Sequence, residues 1–326
     1  MKIILRNISG QTLFSHECYG NNHARTLEIA CAENVDLTGV DLRSCDLTGV
    51  DLRGANLSKA FLSYSDLSGA RLANCDFTGV EMCGVNCTST SVDGANFTGA
   101  NLERALFDSA KMTRANFAEA RLVTARFFGA IVRESSFERA DIKLADFAGA
   151  DLFIARFDDA KAIGVNFCGA QVDRVSFNRA DISSSQWNES VLNRCSFEEA
   201  VISDVHFSKS AFSACNFSMA KLSDHARVVG EHSIFVAGMV GSAARLRPLV
   251  AIVTDQGLRI SDAGSRPCPY YGQLDGYCQN LAGDGQVDDL QECEHILSML
   301  RDYEKTIEQN IVSQQHAKRL KEESSC

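Results

Sequence analysis

Residues 91–130 read SVDGANFTGANLERALFDSAKMTRANFAEARLVTARFFGA. Every fifth residue is large and apolar: Val92, Phe97, Leu102, Phe107, Met112, Phe117, Leu122 and Phe127. From Phe97 onward, the residue two places before each of them is alanine. Helices repeat every 3.6 residues and strands every 2, so a strict period of five belongs to neither. It calls for a backbone that turns after each five-residue side, pointing one large and one small residue inward and leaving three outside. Stacked coils of such a chain satisfy their amides by ladder pairing from coil to coil.

Outward from this stretch the register holds without a break from Leu37 to Leu222. The small series runs from Val35 to Ala220 and uses only Ala, Val, Ser, Cys and Thr. Units such as Val50-Asp51-Leu52-Arg53-Gly54, Ala95-Asn96-Phe97-Thr98-Gly99 and Ala150-Asp151-Leu152 resemble the A(D/N)LxG pattern of pentapeptide-repeat proteins. What the resemblance implies is an all-β solenoid, a right-handed quadrilateral β-helix with four repeats per coil. At ~4.8 Å between paired strands the shaft would be roughly 45 Å long. Its interior is filled by side chains, so the expectation is a rod without a concave site and without enzymatic activity.

A period of ten lies inside the period of five. Phe97, Phe107, Phe117 and so on to Phe217 are aromatic at every step, with Trp187 in the series, while the interleaved sites are mostly Leu, Ile or Val. Twenty residues per coil would stack these rings on two opposite sides, as a structural ladder that stiffens the Phe-rich part.

The ends read differently. Lys2–Asn7 and Thr12–Cys18 suggest two strands about Ser9-Gly10, followed by a helix over His23–Glu33. The boundaries expected are a cap over residues 1–35, the β-helix over 36–225 and an α+β module over 226–326. In that module Val250–Thr254 and Leu258–Ser261 form a hairpin across Asp255-Gln256-Gly257. A long amphipathic helix over 288–321 follows, with Leu290, Cys293, Leu297, Leu300, Ile307 and Ile311 on one face. Packing on the hairpin is one role for that helix; Leu290, Leu297, Leu300, Ile307 and Ile311 also make it a candidate for self-association into a homo-oligomer. The opening, Gly10-Gln11-Thr12-Leu13-Phe14 with its short helix before the first Asp-Leu repeat, resembles the start of phage and prophage pentapeptide-repeat proteins. Val240-Gly241-Ser242 through Gly264 is similar to a C-terminal module of the same proteins.

Charge and composition narrow the function. Acidic residues number 42 against 32 basic, a net charge of −10, which disfavours direct nucleic-acid binding. No run of 18 apolar residues or secretory signal core is present, so the reading is cytoplasmic, with no membrane contact. The 13 cysteines fall largely at repeat positions and read as reduced core fillers. Seven histidines are scattered, and Asp224-His225 and Glu231-His232 read as polar linker. Cys268 and Cys278 lack CxxC spacing, and Ala282-Gly283-Asp284-Gly285 lacks the ligands of a calcium loop, so no metal or cofactor is expected.

What remains is a protein partner. Asp36, Asp41, Asp46, Asp51, Asp66, Asp76 and Glu81 all precede a large core residue and make a candidate acidic partner-binding face on the first coils. Some members of the resembled family confer fluoroquinolone resistance by imitating duplex DNA on DNA gyrase and topoisomerase IV. That makes a DNA mimic the alternative to a general protein-binding rod, although acidic residues only modestly outnumber basic ones along the repeats. The other reading of the same carboxylates is a solvated face chosen for turn preference.

Overall fold

The computed structural model describes residues 1–207, 210–213, 215 and 220–222, with the backbone of four strands between residues 234 and 272. The chain returns to register after twenty residues. Asp41 bridges Phe61, Phe61 bridges Glu81 and Glu81 bridges Asn101, all in parallel. Three further ladders run Asp46–Asp66–Asn86, Asp51–Arg71–Ser91 and Asn56–Asp76–Asn96. Each coil of this β-solenoid therefore carries four ladders, taken here in that order as its first to fourth sides.

The five-residue side has a local cause. The N–H of the small inner residue donates to the carbonyl of the large inner residue three places before it, as in Ala55 to Leu52 (2.9 Å) and Ala100 to Phe97 (3.0 Å). The third residue of that turn is left-handed, as at Gly49 (φ 68°), the type II geometry for which glycine is the cheapest choice. Where the residue before the large one is Asp or Asn, its side chain can accept from the N–H two residues on. Asp46 takes Thr48 at 3.1 Å, Asn56 takes Ser58 at 3.0 Å and Asn116 takes Ala118 at 3.1 Å. The motif thus reads as small inner residue, side-chain cap where Asp or Asn is present, large inner residue, free position and a left-handed residue, glycine at some repeats and another residue, as at Lys59 or Arg104, at others.

Every large inner position from Leu37 to Phe207 is buried. On the third side the ladder lengthens into true strands: β3 (Lys111–Thr113), β4 (Ile131–Arg133), β5 (Asp151–Phe153), β6 (Gln171–Asp173), β7 (Val191–Asn193) and, after β8 (Val201–Ile202), β9 (Ala211–Ser213). These form a six-stranded parallel sheet from β3 through β7 to β9, each pair offset by twenty residues. β8 pairs in the same way with β10 (Lys221–Leu222).

Two stacks of rings fill the later coils. Phe97 and Phe117 lie 4.7 Å apart at 3°, and Phe117 and Phe137 lie 4.9 Å apart at 8°. The second stack has Phe107 to Phe127 at 5.3 Å and Phe127 to Phe147 at 4.4 Å. The stacks also meet edge to face, Phe107 against Phe117 at 5.7 Å and 83°, a contact that the ten-residue spacing alone does not reveal. Trp187 continues the second stack, and its indole N–H donates to Ser185 Oγ at 2.8 Å, so the one tryptophan is satisfied by a hydroxyl at a small inner position.

Before the coils, β1 (Lys2–Arg6) and β2 (Thr12–Glu17) pair antiparallel, and α1 (His23–Ala32) is capped by Asn22, whose side chain accepts from the Arg25 N–H at 2.8 Å. A solenoid's first coil exposes unpaired amides that invite other chains. Here the Asp41 N–H donates to Arg6 C=O at 2.8 Å, and the Asp51 N–H donates to the Glu28 carboxylate of α1 at 2.9 Å. Two sides of the opening edge are closed in this way.

Beyond the coils, β11 (Ile234–Val240), β12 (Arg247–Thr254), β13 (Gly257–Asp262) and β14 (Tyr271–Gly272) make an antiparallel sheet in that order. The β12–β13 pairing runs from Thr254–Gly257 to Leu249–Asp262 and covers the stretch read above as a hairpin. The expected helix over 288–321, with Leu290, Leu297, Leu300, Ile307 and Ile311, lies outside the described residues. So do His225, His232, Cys268, Cys278 and the loop 282–285.

Candidate protein-binding surface

With the interior of the described coils filled, the outward positions are what the shaft offers to other molecules. The seven early carboxylates occupy all four sides. Asp41 and Glu81 are on the first side, Asp46 and Asp66 on the second, and Asp51 on the third. Asp76 is on the fourth, joined by Asp36, since the Gly39 N–H donates to Ser58 C=O at 3.0 Å. They form a girdle around the shaft, not a single flat patch.

Most of them are engaged at home. Asp41 takes Arg43 through Nε (2.8 Å) and Nη2 (2.7 Å), and Asp51 takes Arg53 in the same bidentate way with Arg71 at 3.7 Å. Asp66 accepts from Asn86 Nδ2 at 3.0 Å, Asp76 from the Thr78 hydroxyl at 2.5 Å and Glu81 from Asn101 Nδ2 at 2.8 Å. Hydrogen bonds to the ionised form hold five of these carboxyls below their usual range. For Asp36, Asp46 and Asp66 the first cause is the hydroxyl of Thr38, Thr48 or Ser68; for Asp41 and Asp51 it is the guanidinium of Arg43 or Arg53. They stay charged, and they serve their own turns.

The second side differs from the others. Between residues 46 and 189 its outward positions include a single basic residue, Arg126, which pairs with Asp108. Among the described residues, Asp46, Asp66 and Asp146 meet no cation. Asp66 feels the like charge of Asp46 one coil below, which works against the lowering of its pKa.

Thiols line the interior. Burial pushes Cys75 up to about 12 and Cys31 up to about 11, and Cys87 is raised for the same reason. Cys195 is raised by its hydrogen bond to Cys215, one coil on, and by burial. None of these buried sulfurs is poised as a nucleophile. Among the described residues no three His, Cys, Asp or Glu side chains converge as a metal site, and no helix is long and apolar enough to cross a membrane.

Two outward residues, Phe61 and Tyr64, have no place in the sequence expectation. With Asp41, Arg43 and Glu81 they border an open depression on the first side. The signal was available as a pair of aromatic residues, Phe61 and Tyr64, at outward positions that other repeats fill mostly with polar residues or glycine.

Comparison with known proteins comes to the same repeat. The family model described as pentapeptide repeats matches in 8 copies over residues 36–73, 62–99, 86–127, 120–153 and 188–224. No curated protein matches the chain. Among solved structures, the chain is similar to HetL of the cyanobacterium Nostoc sp. strain PCC 7120, described as involved in heterocyst differentiation regulation, at 20% identity, over 56% of this chain and 87% of that one, with a TM-score of 0.25. It is similar also to QnrB1, a plasmid-mediated fluoroquinolone resistance protein, at 14% identity over 54% and 85%, with a TM-score of 0.43. A third is a pentapeptide-repeat protein of the Arabidopsis thaliana thylakoid lumen, at 26% identity over 33% and 69%, with a TM-score of 0.19. At these TM-scores the likenesses say nothing of what the chain binds. Five-residue sides, the capping Asp and Asn residues and the left-handed turns agree with the matching family model, and residues 36–153 and 188–224 carry pentapeptide repeats.

Proposed function

We propose that this chain is a non-enzymatic protein-binding rod, with a cap over residues 1–35, a right-handed quadrilateral β-helix over 36–225 and a C-terminal module over 226–326 that sets assembly and partner choice. The supporting observation is the filled shaft: large inner residues are buried from Leu37 to Phe207, which leaves its outward residues for contact. A phage or prophage origin, a cytoplasmic location and self-association through the helix bearing Leu290, Leu297, Leu300, Ile307 and Ile311 belong to the same reading. The test is recovery of partners from bacterial lysate by the full chain and by a chain ending at residue 222. The reading expects a saturable partner that the shorter chain loses or exchanges. Identical recovery by both chains rejects the role of the C-terminal module, and no saturable partner rejects the rod as a binder.

A second reading is inhibition or protection of DNA gyrase or topoisomerase IV by imitation of duplex DNA. The second side favours it, because Asp46, Asp66 and Asp146 are left without cations in a line along the shaft. Against it, duplex DNA carries one phosphate charge per ~1.7 Å, a density that carboxylates spaced by whole coils do not approach. A supercoiling assay decides: no change in gyrase activity at micromolar protein ends this reading.

A further inference from the structure

At the early end of the first side, two aromatic residues occupy outward positions. Position 61 corresponds to the capping Asn56 and Asp66 of the adjacent repeats, yet it is phenylalanine and cannot accept a hydrogen bond from the backbone. Position 64 is the left-handed turn position, and Tyr64 holds φ 61° there, an unfavourable conformation for a bulky residue. Burial does not repay either choice. Tyr64 is 67% exposed and Phe61 is half-buried.

One coil further on, position 84 is glycine. A Cβ on Gly84 would stand 2.8 Å from both Cδ1 and Cε1 of Tyr64, so the missing side chain makes the room in which the ring lies. Phe61 sits in register between Asp41 and Glu81, and both rings border the depression already described. Its one cation, Arg43, is already held by both oxygens of Asp41. Glu81 is bonded only by a neutral amide, Asn101, and brings an unneutralised charge to the aromatic surface.

An exposed ring and a half-buried one beside a carboxylate, on a chain of net charge −10, favour a flat, weakly hydrated cation. We infer that the Phe61–Tyr64 depression is a contact site for an arginine side chain presented by a protein partner. The inference rests on the protein-binding reading and names where on the shaft such a partner makes contact.

The test uses the intact chain and a labelled, end-capped tri-arginine peptide at low ionic strength, with tri-citrulline as its uncharged counterpart. Tri-arginine binds and tri-citrulline does not. Tyr64→Gly weakens tri-arginine binding by about two- to fivefold, the range of an exposed cation–aromatic contact, and Glu81→Gln weakens it comparably. Asp146→Asn, a carboxylate lost from the second side, leaves it unchanged. Because glycine suits the left-handed turn, Tyr64→Gly keeps or raises the melting temperature. The inference is overturned if tri-arginine fails to bind, if the three variants weaken binding equally, or if Tyr64→Gly binds like the unaltered chain. A lowered melting temperature in Tyr64→Gly also overturns it, since the ring is then a structural brace. None of these failures touches the protein-binding reading itself, which stands or falls with recovery of partners from lysate.

Discussion

The early coils, cored by Leu37 to Leu72, and the later coils, cored by the rings from Phe77 to Phe207, share one backbone and hold it together differently. In the early coils the short ion pairs are local, Arg43 with Asp41 and Arg53 with Asp51, each two residues apart within one turn. In the later coils they tie one coil to the next: Arg121 to Glu103, Arg139 to Glu119, Arg156 to Glu138 and Arg179 to Asp159. Inside, leucines fill space without a directional contact, whereas each central ring stacks on two neighbours and meets two more edge to face. Early coils are thus organised turn by turn and closed by an N-terminal cap, and later coils are organised from coil to coil. The same period of five serves both because it fixes which residues face inward and leaves open how the coils adhere.

The largest effect should come from breaking the ring stacks. Phe137→Ala removes a ring with four aromatic neighbours and should cost about 4 kcal/mol in urea unfolding, against about 3 kcal/mol for Leu52→Ala in the early coils. Equal losses would mean that the rings act only as bulk. Next is the cap: Glu28→Ala leaves the Asp51 N–H without its partner and should cost about 1 to 2 kcal/mol. Faster amide exchange should appear in the early coils of that variant and not beyond Phe97.

Relief of backbone strain is smaller and of opposite sign. Ile154→Gly in the later coils, where φ is 55° and the side chain is 40% exposed, should gain about 1 kcal/mol, as should Tyr64→Gly in the early coils. A loss at Ile154 would show that its contacts outweigh the strain.

The smallest effect is acid sensitivity. Asp36, Asp41, Asp46, Asp51 and Asp66 have folded pKa values below their unfolded ones, so their contribution is fully present above about pH 4 and is lost as the pH falls through the folded values. Among the described residues of the later coils, Asp159 is lowered in the same way, chiefly by the Arg179 guanidinium. Proteolysis by pepsin near pH 3 should therefore open the early coils first. Asp46→Asn keeps the acceptor for Thr48 and should blunt that dependence.

Most of the shaft was legible because a period of five that runs unbroken from Leu37 to Leu222 has no rival backbone. The capping role of Asp and Asn was legible as turn preference and became specific once Asp46 was seen to hold the Thr48 N–H. Glu28 was not legible as a cap, since nothing in a helix sequence says which distant amide its carboxylate will meet. Phe61 and Tyr64 escaped because a reading built on the repeat attends to agreement with it. Their interest lies in two rings at outward positions beside Glu81, a grouping that only the twenty-residue coil brings together. The acidic girdle shows the reverse: in sequence the seven residues look like one surface, and the coil distributes them over four sides.

The central claim is that residues twenty apart sit one above another along a closed shaft. Spin labels attached through noncanonical residues at Thr48 and, in turn, Asp108, Phe128, Ala148 and Cys168 test it by pulsed electron resonance, all five being outward positions of the second side. The account predicts narrow distances that lengthen by about 4.8 Å for each added twenty residues. Distances that stay constant, scatter broadly or grow out of step with the twenty-residue interval would contradict it.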